Sequence, residues 1–84
     1  MQSEEIYAEL TPIFHDLFDD ETLVLTPGLS AGDVPEWDSF NHINLIVAVE
    51  STFQIKFQTA ELESLQSVAQ LVGLISKKLA AQGR

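Results

Sequence analysis

Three side chains that could do chemistry stand within five positions of one another, Asp38, Ser39 and His42. A Ser-x-x-His pair on one helix could in principle activate the hydroxyl, but it lacks the nucleophile elbow, oxyanion donors and orienting acid of a hydrolase. His42 therefore reads as a surface or partner-contacting residue. Ser39 directly before an apolar stretch reads on its own terms as a helix N-cap. A second pair, His15 and Asp19, lies four residues apart, which supplies too few ligands for a metal site. There is no cysteine, so a disulfide framework, a thiolate zinc site and a thiol nucleophile are all excluded. Any sulfur chemistry must come from an attached group.

These residues need elements to position them. Ile6, Leu10, Ile13, Phe14, Leu17 and Phe18 recur at three- and four-residue intervals, predicting an amphipathic helix from about Glu4 to Phe18. Pro12 inside that span predicts a kink or a restart capped by Thr11. From Asp19 to Asp38 the periodicity stops. Pro27, Gly28, Gly32 and Pro35 punctuate a long loop whose Leu23, Val24, Leu25, Leu29 and Val34 are expected to anchor it.

A second helix is expected from about Phe40 to Thr52, and its apolar residues on several sides suggest a central position. The run from Phe53 to Gln58 reads as extended or loop-like, followed by a brief helix through Ala60 to Leu65 capped by Thr59. Ser67 and Gln70 have capping-box spacing ahead of a last helix, Val68 to Ala81, with Lys77 and Lys78 near its negative end. Trp37, Phe14, Phe18, Phe53 and Phe57 are expected to pack. The 84 residues leave room for one domain, spanning the chain from residue 1 to residue 84.

The order helix, long loop, helix, short helix, helix, with Trp37-Asp38-Ser39-Phe40 opening the second helix and Val49-Glu50-x-x-Phe53 near its end, resembles the acyl carrier protein family of the stand-alone bacterial type. The resemblance implies an all-α four-helix bundle with a long loop between helices one and two and a short third helix. It implies a non-catalytic protein on which a phosphopantetheinyl transferase moves 4'-phosphopantetheine from coenzyme A to Ser39. The arm's terminal thiol would then hold acyl groups as thioesters. Asp38 would contact the transferase and its metal, or serve the helix dipole. Asp38, Phe40, Asn41, His42 and Ile43 become candidate partner contacts, with Phe40 standing where the family more often has Leu or Met. Many carriers of primary fatty-acid synthesis are acidic where this chain has Asn41 and Asn44, so the expected setting is a specialised lipid or secondary-metabolite pathway. An aminoacyl or peptidyl carrier and an acidic helical adaptor are the alternatives. The apolar second helix also suggests shelter for an acyl chain among Ile43, Val47, Leu62 and Ile75.

Charge narrows the partners. The net charge is -9, and ten of the thirteen acids lie between Met1 and Asp38, where there is no Lys or Arg, the first being Lys56. Such a surface repels nucleic acid and anionic membranes and suits acyl-loading and acyl-transfer enzymes with basic patches. With no apolar run of membrane-spanning length and an acidic start, the expectation is a cytoplasmic monomer.

Overall fold

The computed structural model describes residues 2 to 83. Its α-helices are α1 (Ser3–Phe18), α2 (Ser39–Phe53), α3 (Thr59–Ser64) and α4 (Val68–Ala81). No strand occurs among the described residues, and none of their helices is long and apolar enough to cross a membrane.

Helix α1 buries Ile6, Leu10, Phe14 and Phe18, one stripe at four-residue spacing, and packs against both α2 and α4. It runs without interruption through Pro12. The expected restart does not occur, and Thr11 is no cap: its hydroxyl donates to the Tyr7 carbonyl one turn back, at 2.8 Å. The helix stops where Asp19 turns left-handed, with φ 51°.

The long loop contains a single 3₁₀ turn, Ala31–Asp33, that hydrophobic periodicity does not reveal. Its order comes partly from pairing with the chain before α4. Ala31 N–H donates to the Gln66 carbonyl at 3.0 Å, and Val68 N–H donates to the Leu29 carbonyl at 2.9 Å. Val34 is buried and Leu23, Leu25 and Leu29 are half-buried, but Val24 faces solvent and anchors nothing.

Helix α2 is apolar on several sides, as expected, but not all of those sides are buried. Leu45, Ile46, Val49 and Phe53 enter the core, whereas Phe40, Ile43 and Val47 are 76%, 51% and 58% exposed. Residues 40, 43 and 47 share one face at helical spacing, so the apolar surplus forms an outward stripe.

Helix α3 has no buried residue. Gln58, not Thr59, is its cap residue, and the Glu61 carboxylate accepts from the Gln58 N–H at 2.7 Å. Helix α4 spans the expected residues and buries Val68, Leu71, Val72, Ile75 and Leu79. The Ser67 hydroxyl accepts from Gln70 N–H at 3.2 Å. Lys78 does more than meet the helix dipole, since it pairs with Glu61 at 2.9 Å and stands over the Phe57 ring.

Phe14 is the centre of this arrangement, fully buried and in ring contact with both Phe18 and Trp37. Phe14→Ala should therefore cost ~3–5 kcal/mol. A urea titration followed by far-UV circular dichroism should show a large fall in the midpoint, and an unchanged midpoint would contradict this packing.

Candidate functional site

Helix α2 opens under the control of Asp38. Its extended backbone, with φ -104° and ψ -175°, turns the chain into the helix, and its carboxylate accepts from Asn41 N–H at 2.9 Å. This satisfies one of the free donors at a helix start. The capping role that the sequence suggests for Ser39 thus belongs to Asp38, and Ser39 is the first helical residue. Nothing further about the Ser39 side chain lies within the described geometry.

Asn41 reaches back across the same turn, its side-chain amide donating to the Glu36 carbonyl at 2.7 Å. An amide does this and a carboxylate cannot, because a carboxylate has no hydrogen to donate. Asn41 therefore holds the loop end against the helix start. The sequence marks it as a candidate partner contact and a missing acid, and does not reveal this tether.

His42 is the larger correction. It is half-buried and bonded on both ring nitrogens, so it is not a free surface residue. Trp37 Nε1–H donates to His42 Nδ1 at 3.1 Å. An indole can only donate, so Nδ1 is the acceptor and the ring proton of the neutral imidazole sits on Nε2. That Nε2–H then donates to the Leu62 carbonyl of α3 at 3.1 Å. The signal in the sequence is the pair Trp37 and His42, a donor and an acceptor brought together by the first turn of a helix.

Trp37 is itself only 5% exposed, edge-on to Phe14 with centroids 5.5 Å apart and 6.3 Å from Phe18. The start of α2 is thus tied inward to α1 and outward to α3. Between α2 and α3 lies an open groove of about 600 Å³ whose walls include Trp37, Asp38, His42, Ile43, Leu62 and Leu65. Leu62 and Ile43 join this groove, but Val47 and Ile75 do not line it. The expected shelter is accordingly narrower than the four residues suggest.

Asp38 and Glu63 put negative charge on the groove wall, and Asp33 and Glu36 are exposed on the loop that leads to α2. His15 makes no metal pair with Asp19, as its Nε2–H donates to the Leu23 carbonyl at 2.7 Å. No cluster of three or more metal-binding side chains exists among the described residues. The carboxyl of Asp20 is held below its ordinary value by the Thr22 hydroxyl and N–H, a local turn away from the groove.

The Glu61 carboxyl is held below its ordinary value of 4.5, first by the Gln58 N–H and then by Lys78. A depressed carboxylate stabilises the fold above its unfolded value and ceases to do so as pH falls through the folded one. Below about pH 4.5, α3 should loosen as Glu61 protonates. The Gln58 and Leu62 amide resonances should move together in that window. In Glu61→Gln the step should vanish, and its persistence would contradict this anchoring.

No protein-family model and no curated protein matches the chain. A solved structure does: the solution NMR structure of a holo acyl carrier protein from Geobacter metallireducens, with 47% sequence identity over 90% of this chain and 87% of that one, and a TM-score of 0.84.

Proposed function

The chain belongs to the acyl carrier protein family, and on that premise we propose that Ser39 holds a 4'-phosphopantetheine arm taken from coenzyme A, whose thiol carries the acyl group as a thioester. Proteins of this family are carriers, not catalysts. The observation that supports Ser39 is its place as first residue of α2, directly after the capping Asp38. A phosphodiester attached there meets unpaired backbone N–H groups and the positive end of a 15-residue helix dipole. The thioester leaves the load ready for transfer, and the enzymes that load and unload it do the chemistry. The described buried residues form one hydrophobic cluster, which supports treating residues 1 to 84 as a single carrier domain.

Incubation with coenzyme A and a phosphopantetheinyl transferase of broad specificity should add the mass of one arm to the protein and none to Ser39→Ala. Modification of Ser39→Ala, or refusal of the unaltered protein by several such transferases, would overturn the assignment.

We infer further that the partners belong to a specialised pathway. Acids Asp33, Glu36 and Asp38 cluster on the exposed loop end, whereas Asn44 on the exposed side of α2 is neutral. A basic partner patch would be attracted mainly to the loop. Phe40, Asp38 and Ile43 are exposed beside it and supply apolar and acidic contact. Asn41 and His42 act there mainly by shaping the site, given their internal bonds.

Asn44→Glu should raise kcat/KM with a primary fatty-acid synthesis enzyme at low salt, since rim charges act chiefly on association. The gain should shrink as the Debye length falls from ~10 Å at 0.1 M to ~3 Å at 1 M. Asn41 is left unaltered, because an acid there would lose the bond to Glu36. No gain at low salt, with a starting rate equal to that of a dedicated fatty-acid carrier, would contradict the specialised setting.

A further inference from the structure

Among the residues that line the groove between α2 and α3, His42 is bonded to both of its sides. His42 projects from the first turn of α2, takes the Trp37 N–H on Nδ1 at 3.1 Å and reaches the Leu62 main-chain carbonyl with Nε2 at 3.1 Å. It therefore bridges from the buried aromatic cluster to the backbone of α3. We propose that His42 is a gate, a positioning residue that fixes α3 against α2 and thereby limits the length of acyl chain the protein can shelter. The proposal rests on the assignment of the arm to Ser39.

The groove walls are largely apolar near the arm, with Ile43, Leu62 and Leu65 among them. The deeper core residues Ile46, Leu71 and Ile75 are at most 3% exposed and do not line it. A short acyl group lies in the groove as it stands. A longer one must remain in water beyond the groove or part α3 from α2 to reach those residues.

Parting the helices breaks the bond from Nε2 to Leu62. Helix α3 is suited to such movement, since it buries no residue, touches the core through half-buried Leu62, and is fastened mainly by polar links, among them this one and the Glu61–Lys78 pair. The charged groups near the gate are Asp38 and Glu63 on the groove walls and the Glu61–Lys78 pair on α3 and α4. None of these bonds to the imidazole, whose two nitrogens are already engaged. The restraint is therefore set by hydrogen-bond geometry.

The test uses the arm-bearing protein loaded with straight acyl chains of two to ten carbons, and measures the rate at which hydroxylamine cleaves each thioester. Intact mass first reports whether the arm is present, so a failure of the Ser39 assignment is seen separately. In the unaltered protein, protection should stop increasing after a short chain. In His42→Ala it should continue to longer chains, by up to about fourfold for each further methylene taken from water.

His42→Gln supplies an amide N–H for Leu62 and a carbonyl for Trp37, and should restore the early limit. Trp37→Phe keeps the aromatic packing and frees one side of the imidazole. It should extend the limit part way, and decides the matter if His42→Ala does not fold. Equal chain-length profiles in the unaltered protein and His42→Ala, or in the unaltered protein and Trp37→Phe where that comparison decides, would overturn the gate while leaving the carrier assignment intact. A His42→Gln profile matching His42→Ala would overturn it as well.

Discussion

A buried indole must place its N–H somewhere. Trp37 fills the space beside Phe14 and Phe18 and is almost wholly removed from water, so an unmet N–H there would cost ~1–3 kcal/mol. The acceptor is His42, which can stand in the right place only if α2 begins where it does. The Asp38 cap and the Asn41 bond to Glu36 fix the same turn from outside. Ser39 is thus carried on a helix start held both from the core and from solvent, which is the precision the proposed arm site needs if several enzymes are to find it.

The two sides of the molecule are held by different physics. Helices α1, α2 and α4 share an apolar core in which Ile6, Leu10, Phe14, Leu45, Val49 and Ile75 are fully buried. Helix α3 shares little of that burial. It depends on Lys78 with Glu61, on His42 with Leu62, and on the preceding Phe57 N–H, which donates to Glu50 at 2.8 Å. Polar links of this kind are individually modest and directional. An element held by them can shift as a unit without disturbing the packed core, and the groove lies along its boundary with α2.

Much of this was legible in the sequence where the period of the apolar residues decided the matter. The helices α1 and α4 follow from stripes such as Ile6, Leu10, Phe14 and Val68, Leu71, Val72, Ile75. The start of α2 follows from Asp38 and Ser39 after a proline-containing turn. What periodicity could not give was direction. Phe40, Ile43 and Val47 count as apolar whether they face the core or solvent, so α2 reads as more central than it is. The 3₁₀ turn at Ala31–Asp33 is closed locally by Ser30 and Asp33 at capping-box spacing, a signal that the apolar period passes over, while the pairing of Ala31 with Gln66 and of Leu29 with Val68 joins residues too far apart in the chain for local propensity to reveal. The tethers made by His42 and Asn41 escape the sequence for a related reason, since their partners Leu62 and Glu36 are backbone carbonyls that a residue pattern does not display.

The link from Trp37 through His42 to Leu62 is the claim on which the site geometry rests, and the imidazole reports on it directly. Long-range nitrogen-15 to proton correlation spectra of the folded protein assign the tautomer of each histidine ring. The account requires His42 at neutral pH to carry its proton on Nε2, with Nδ1 unprotonated and coupled to the Trp37 indole environment. A His42 ring protonated on Nδ1, or exchanging between tautomers as free histidine does, would contradict it.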